Sequence, residues 1–199
     1  QMLKKYPGAG VAYNLICSKA DPEFVAKMGG KPLRSKVGYV NVGQAMKDGG
    51  GVVGGELSAH YSFKDNFYAD SGFIPLLLVL QTVSETGKKF SEIVGEFMVY
   101  AKSDEVNLEI EDKDGAIQKV KEKYADAKQD ELDGITISYP DWWANVRASN
   151  TEPLLRITVE ADTEELLKEK KWTFKFCRIQ PQDFGYIYGF LQIIVKTKI

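Results

Sequence analysis

The stretch RASNTEPLLR, residues 147–156, concentrates hydrogen-bond donors between two segments predicted to be strands. Arg147 could clamp two phosphate oxygens with its planar guanidinium. Hydroxyl, amide and turn N–H groups of Ser149, Asn150 and Thr151 would fill the remaining acceptor positions. Arg156 adds a second guanidinium at the far end. These residue types predict a site for a phosphate ester.

The same stretch has a simpler interpretation as a strand, a turn and a strand. Asn150 and Thr151 would then make local turn hydrogen bonds, and both arginines would pair with surface carboxylates. Both interpretations remain open at this point.

A second cluster lies in GGELSAHYSFKDNFYADSG, residues 54–72. Glu56 and Ser58 alternate along a predicted strand end, so we expect both side chains to point the same way. A carboxylate and a hydroxyl in that arrangement suit the vicinal hydroxyls of a sugar. His60, the chain's only histidine, could handle a proton or could be a hydrogen-bonded structural residue.

A metal site is not expected in this chain. Zinc sites need clustered histidine and cysteine, whereas the chain has one His and two Cys, Cys17 and Cys177, that lie far apart. The acidic residues lack the spacing of a calcium loop.

The elements that must position these residues fall into two patterns. In the first half, the strands GVAYNLICS, KPLRSKVGY and GVVGGE alternate with the short helices DPEFVAKMGG and VNVGQAMKDGG, which predicts a βαβ layer with parallel strands. The run SGFIPLLLVLQTVSETG is apolar nearly all round, so we expect a buried helix there.

Near residue 100 the pattern changes. VNLEIED alternates, KDGAIQKVKEKYADA is an amphipathic helix, and GITISYP, WWANVRA and LLRITVEA are strands, which predicts a small α+β unit with an antiparallel sheet. We divide the chain into domains 1–99 and 100–162 and a tail, 163–199, of unknown role that begins as a helix.

Composition excludes some partners. With 26 Lys+Arg, 28 Asp+Glu and a net charge of −2, the chain has no basic run to neutralise phosphates, so we expect no nucleic acid partner. The longest apolar run, Phe73 to Leu80, is too short to span a membrane. Two cysteines are too few for a disulfide scaffold, which favours the reducing cytoplasm. The start at Gln1 predicts a trimmed or partial chain.

Three stretches together resemble a known family. In chain order they are YPGAGVAYNLICSKADPEFVAKMGGKPLRSKVGY, GGELSAH with DNFYADSG, and DELDGITISYPDWWANVRASNTEPLLRITVEA. They resemble domains three and four, the C-terminal half, of bacterial phosphomannomutase/phosphoglucomutase enzymes, the α-D-phosphohexomutases. The resemblance implies an α/β domain followed by an α+β domain whose antiparallel sheet packs on helices, like the TATA-binding protein.

The resemblance also implies roles for the residues named above. The family's third domain binds sugar hydroxyls and its fourth binds the phosphate that is not being transferred. The first two domains carry a phosphoserine loop and a magnesium-binding aspartate loop, which this chain lacks. The implied assignments are Glu56 and Ser58 for the sugar, Arg147, Ser149, Asn150 and Thr151 for the phosphate, Arg156 in support of that loop, and His60 for proton handling.

The resemblance therefore implies binding of mannose or glucose 1- or 6-phosphate without complete catalysis. We expect no cofactor in this chain, Mg²⁺ only in an N-terminal half, and that half as a partner. Three departures weaken the binding role: Ile16 stands where the family commonly has lysine, Tyr39 where it has histidine, and Ala59 where it has glycine. A non-catalytic phosphosugar-binding protein, or a degenerate relative that binds nothing, is the alternative.

Overall fold

Two sheets follow one another in the computed structural model, which describes residues 1–149 and 152–175. Asn150 and Thr151 of the predicted phosphate loop lie outside the described residues, as do residues 176–199 of the predicted tail. The α/β plus α+β prediction is confirmed, since a largely parallel sheet precedes an antiparallel one.

The first half of the chain forms a four-stranded sheet. The elements of this half are α1 (Met2–Lys5), β1 (Gly10–Asn14), α2 (Ala20–Lys27), β2 (Lys31–Ser35), α3 (Tyr39–Gly49), β3 (Gly51–Gly55), β4 (Tyr61–Phe63), a 3-10 turn (Lys64–Asn66), α4 (Phe73–Thr86) and α5 (Phe90–Gly95). The sheet order is β2-β1-β3-β4, in which β1 pairs in parallel with both β2 and β3, while β4 pairs antiparallel with β3. β4 falls in a stretch predicted to be a loop, because three residues are too few to show strand alternation.

Helix α3 packs closely on this sheet. Its Val42 and Met46 side chains are buried against Ala12 of β1. A Cβ on Gly54 of β3 would lie 2.5 Å from Cγ1 of Val42, so glycine is required for this approach. The contact fixes α3 against the face of the sheet, and the loop that precedes the helix follows the carboxyl end of β2.

Helix α4 is not buried, and the prediction that it would be is wrong. Phe73 is 81% exposed and Leu77 is 65% exposed. None of its residues is classed as buried in the described structure, where its neighbour is α5. An all-round apolar composition indicates that a helix meets apolar surface, but it does not identify which part of a protein supplies that surface.

The second sheet is antiparallel throughout, as predicted. The elements of this half are β5 (Ala101–Lys102), β6 (Val106–Glu109), α6 (Lys113–Lys123), β7 (Lys128–Asp130), β8 (Ile135–Ser138), β9 (Trp142–Ala148), β10 (Leu154–Ala161) and α7 (Glu164–Lys175). β9 lies between β8 and β10, β7 forms one edge, and both β5 and β6 pair with β10 along the other.

Alternation along β9 and β10 gives this sheet an apolar face and a polar face. The register partners Val146 and Ile157 are buried in a core that includes side chains of α6 and α7. The opposite face carries a buried polar row, Asn145, Arg147 and Thr158, with the partly buried Arg156 beside it.

Helix α7 is the helix expected at the start of the tail. Its Leu167 and Phe174 side chains are buried in the core of the second sheet. The domain bounds 1–99, 100–162 and 163–199 remain a prediction.

Candidate functional site

The carboxyl ends of the parallel strands face the polar side of the antiparallel sheet. In open α/β sheets, ligands bind outside these strand ends, where loops and helix starts converge. Asn14 ends β1, Ser35 ends β2 and Glu56 follows β3, and all three are buried. This junction contains the residues predicted to bind the sugar.

Glu56 is anchored by two donors from neighbouring loops. Its Oε1 accepts hydrogen bonds from Asn14 Nδ2 at 2.9 Å and from the Gly38 backbone N–H at 2.7 Å. The carboxylate therefore joins the ends of β1 and β3 to the start of α3. Only 7% of the residue is exposed, so Glu56 has a structural role whatever else it binds.

Ser58 does not share the orientation expected for it. β3 ends at Gly55, and residues 57–59 form a turn in which the Ala59 N–H donates to the Glu56 carbonyl at 3.0 Å. Glu56 is buried while Ser58 is exposed. The expectation that the two side chains alternate along one strand is therefore wrong, because the strand stops before both of them.

Ala59 has a φ of 65°, in the left-handed region that favours glycine. The resemblance implied glycine at this position, and the backbone keeps a glycine-like conformation although a Cβ is present. The turn therefore carries local strain next to the predicted sugar-binding residues.

His60 is paired with Asp70 beside this turn. Its Nδ1 lies 2.6 Å from Asp70 Oδ2, while Oδ1 accepts the Tyr61 N–H at 2.8 Å. An ionised carboxylate only accepts, so Nδ1 carries the proton. The hydrogen bond that His60 donates to Asp70 raises the pKa of His60. The Tyr39 ring lies 5.9 Å from the imidazole, centroid to centroid.

We expect the single histidine to titrate above its ordinary pKa of about 6.5. Below that raised pKa the imidazolium and the Asp70 carboxylate form an ion pair, and deprotonation at higher pH removes it. The C2 proton of His60, followed by NMR against pH, gives the midpoint. Asp70→Asn should bring the midpoint back towards the ordinary value, and an unchanged midpoint would contradict the pairing.

The two arginines of the predicted phosphate loop share one carboxylate. Arg147 and Arg156 are direct register partners on β9 and β10. Glu105 Oε2 accepts from Arg147 Nη2 at 2.8 Å, and its Oε1 accepts from Arg156 Nη1 at 2.9 Å. Arg156 Nη2 also donates to Glu152 at 3.2 Å. Within the described part of the chain, the buried Nε atoms of both arginines have no hydrogen-bond partner.

These contacts bear on both interpretations of RASNTEPLLR. Pairing with carboxylates is what the simpler interpretation expects, yet Glu105 is a largely buried partner with a side chain only 21% exposed. The register also brings the two guanidiniums together, which is compatible with the phosphate interpretation. Ser149 is buried, and its N–H donates to the Leu154 carbonyl at 2.8 Å. This hydrogen bond joins the two strands at the base of the loop.

One set of contacts across the junction holds the loop that precedes α3. The Val37 N–H donates to Asp133 Oδ2 at 3.1 Å, and Arg34 forms an ion pair with Asp130. Since the next N–H, that of Gly38, is held by Glu56, this loop is fixed from both sheets.

A second set of contacts lies at the other end of the junction. Glu160, which is fully buried, accepts from the Lys19 N–H at 2.9 Å and from Trp143 Nε1 at 2.8 Å. Lys102 Nζ donates to the Ile16 carbonyl at 2.6 Å. Burial lowers the pKa of Lys102, and the Glu160 carboxylate opposes that shift. The two sheets are thus joined on both sides of the candidate site.

Two of the residues that differ from those implied by the family resemblance lie in contrasting environments. Ile16 is buried at 5% exposure, whereas Tyr39 is 54% exposed beside His60. The side chain that stands in place of the family's lysine therefore lies in the interior.

Sequence reasoning missed the residues that organise the site: Asn14, Asp70, Glu105 and Asp133. Each acts on a predicted residue or its loop from a distant part of the chain. No sequence signal identified Glu105, because the opposition of the two arginines, which favours an anion between them, depends on the strand register.

Two further features follow from the described ranges. Across residues 1–149 and 152–175, no helix is both long and apolar enough to cross a membrane. In the same ranges, histidine, cysteine and carboxylate side chains form no group of three or more that could hold a metal ion.

The fold and this junction define the class of protein to which the chain belongs. The family model for phosphoglucomutase/phosphomannomutase α/β/α domain III matches residues 1–100. The model for the phosphoglucomutase/phosphomannomutase C-terminal domain matches residues 105–171. The chain therefore belongs to the phosphoglucomutase/phosphomannomutase family, of which it contains the two C-terminal domains.

Individual relatives agree with this assignment. A phosphomannomutase of Methanocaldococcus jannaschii is 40% identical over 170 residues, which cover 85% of this chain and 38% of the relative. A phosphomannomutase of Salmonella montevideo is 36% identical over 172 residues, with the same coverage. The crystal structure of a phosphoglucomutase/phosphomannomutase family protein from Burkholderia thailandensis superposes with a TM-score of 0.74 at 26% identity, covering 87% of this chain and 38% of that one. The chain thus spans under two fifths of the length of these relatives.

Proposed function

We propose that this chain binds a hexose phosphate at the junction of its two sheets. The buried guanidinium of Arg147, with Arg156 beside it, supports a phosphate site on the antiparallel sheet. Across the junction, the anchored carboxylate of Glu56 and the exposed hydroxyl of Ser58 would accept and donate hydrogen bonds to sugar hydroxyls. The observation that carries the proposal is this pairing of a buried cationic site with a fixed carboxylate on two joined sheets.

The remaining loop residues complete the proposed phosphate site. Ser149, Asn150 and Thr151 would add hydroxyl, amide and backbone donors around the phosphate that is not transferred. His60, oriented by Asp70, would hold a proton at Nδ1, and its other ring nitrogen, Nε2, would exchange a proton with a sugar hydroxyl. In this proposal the chain positions its substrate, which is the main protein contribution to phosphoryl transfer.

Transfer between the two ends of a hexose also needs groups that we propose lie outside this sequence. A phosphoserine would carry the phosphoryl group, and Mg²⁺ would neutralise developing charge. We therefore propose that the chain works together with a catalytic half of the same family and is incomplete for catalysis alone. The names of the relatives, phosphomannomutases, support an intramolecular phosphotransferase role in carbohydrate metabolism.

The exposed side of α4 supports the same proposal. Phe73, Leu76, Leu77 and Leu80 are each more than half exposed on this helix. Apolar surface of this extent is unusual on a protein that works alone and marks an interaction site. We propose that the catalytic half covers it.

Calorimetric titration of the whole chain tests the binding proposal. Mannose 1-phosphate and glucose 1-phosphate should bind about tenfold more tightly than inorganic phosphate, because a hydrogen bond to a charged group contributes about 1.5–3 kcal/mol. Free mannose is the matched control without phosphate. Sugar phosphates that fail to bind, or that bind no better than phosphate, would contradict the two-loop site.

A non-catalytic phosphosugar-binding protein is the second candidate. The buried Ile16, the Tyr39 ring beside His60 and the strained Ala59 favour it, since each differs from the residue that the family resemblance implies. Adding a catalytic half from a relative separates the candidates. Mutase turnover in the mixture supports the first, whereas binding without turnover supports the second.

A further inference from the structure

Glu105 occupies an unusual place for an acidic residue in a proposed anion site. It lies between β5 and β6, and each of its oxygens accepts from a different guanidinium, at 2.8 Å for Arg147 and 2.9 Å for Arg156. Its side chain is only 21% exposed. A single carboxylate thus connects two arginines on neighbouring strands.

The two arginines need such a partner. They are directly opposed on β9 and β10, and like charges in that arrangement repel each other. Arg147 is 6% exposed, so its guanidinium cannot reach bulk water, where the repulsion would be screened. A carboxylate shared between them offsets the repulsion and fixes the plane of each guanidinium, because hydrogen bonds between charged groups are strong and directional.

We infer that Glu105 is a positioning residue for the arginines of the phosphate site. It acts through Arg147 and Arg156 and holds them in one orientation before any ligand arrives. Its importance for phosphate binding rests on the proposed function, whereas the restraint of the arginines stands on the contacts alone. Pre-organised donors bind an anion more tightly because less side-chain freedom is lost on binding.

Simple electrostatics makes the opposite prediction. Glu105 carries a negative charge close to a proposed phosphate, so removing that charge would strengthen anion binding if charge alone mattered. A positioning role predicts weaker binding on removal. The sign of the change therefore distinguishes a positioning residue from a competing anion.

Glu105→Gln separates these two effects with little change in shape. A glutamine side chain has one accepting oxygen and one donating NH₂ group. The oxygen can serve one arginine, but the NH₂ group then faces a second guanidinium that only donates. One arginine loses its contact with residue 105, so we expect phosphate and mannose 1-phosphate to bind about tenfold more weakly in calorimetric titrations.

Glu152→Gln is the matched control. It removes the same charge from the neighbourhood of Arg156, but Glu152 is 55% exposed and its contact is longer, at 3.2 Å. Binding should stay within about twofold of the unmodified chain, as expected for a surface ion pair. Tighter binding in Glu105→Gln, or equal changes in both variants, would overturn the inference.

Glu105→Asp keeps the charge and guards against misfolding of the glutamine variant. An aspartate is one methylene shorter, so it cannot reach both guanidiniums in the observed geometry. Binding weaker than in the unmodified chain is expected despite the retained charge. Affinity equal to that of the unmodified chain would show that charge, and not the bridge, is what matters, and would overturn the inference.

Arginine side-chain NMR provides a measurement without ligand. In the unmodified chain, rotation about the Nε–Cζ bonds of Arg147 and Arg156 should be slow. In Glu105→Gln it should become fast for the arginine that the glutamine oxygen does not serve, while Glu152→Gln leaves Arg147 slow. Unchanged rotation rates of both arginines in Glu105→Gln would overturn the inference. If the unmodified chain binds no phosphate but one arginine is released in Glu105→Gln, the proposed function fails while the restraint by Glu105 stands.

Discussion

Arg147→Ala is expected to weaken the binding of phosphosugars and inorganic phosphate by about 100-fold, within the roughly 2–5 kcal/mol that truncating a buried charged contact costs. Arg147 is 6% exposed and its guanidinium is held by Glu105, so it is restrained and largely removed from water. Charge-assisted hydrogen bonds are strongest in that setting. Calorimetric titration with inorganic phosphate measures the loss directly.

Two comparisons make the Arg147 result specific. Arg147→Lys keeps the charge but loses the planar fork, so it should bind more weakly than the unmodified chain and more tightly than the alanine variant. Glu56→Ala should lose much less affinity for inorganic phosphate, because Glu56 is assigned to the sugar. Equal losses in Arg147→Ala and Glu56→Ala would show that the phosphate loop has been assigned wrongly.

The pairing of Arg147 with Arg156 could be predicted in part from sequence. LLRITVEA and WWANVRA both show strand alternation, and the short turn between them makes them antiparallel neighbours. Which residues face each other depends on register, and a slip by one residue moves a side chain to the other face. The observed register sets Arg147 against Arg156, a detail that the pattern alone does not contain.

Glu105 shows why the rest of the site could not be predicted in the same way. It lies 42 residues before Arg147, immediately before the short strand β6. Nothing local in SDEVNLEIED distinguishes this carboxylate from the exposed acids that follow it. Its role arises from the packing of β6 on β10, which places a loop from one part of the chain beside two strands from another.

The predictions for helix α4 and for Ser58 were wrong for different physical reasons. For α4, composition correctly predicted a helix, but exposure depends on what covers it, and no described element buries its side chains. For Ser58, the prediction assumed that β3 continued, whereas the chain turns after Gly55. Helix and strand periodicity predict elements well, but they predict the ends of elements and their partners poorly.

Glu56→Ala is expected to lower the free energy of unfolding by about 2–4 kcal/mol, because a buried donor left without an acceptor costs about 1–3 kcal/mol and a partly buried one costs less. The two donors are Asn14 Nδ2 and the Gly38 N–H, and Asn14 is only 1% exposed. Both bonds end on the same oxygen, Oε1. Denaturant unfolding of the variant measures the loss.

Glu56→Gln separates this structural role from the proposed sugar contact. A glutamine oxygen accepts two hydrogen bonds, so it can keep both donors, and stability should stay within about 1 kcal/mol of the unmodified chain. The NH₂ group would then stand where Oε2 is proposed to accept from a sugar hydroxyl. Mannose 1-phosphate affinity should fall about tenfold, because a hydrogen bond to a charged acceptor is roughly twice as strong as a neutral one. A stable glutamine variant with unchanged affinity would leave Glu56 as a purely structural residue, and the sugar would then have to be held by other groups.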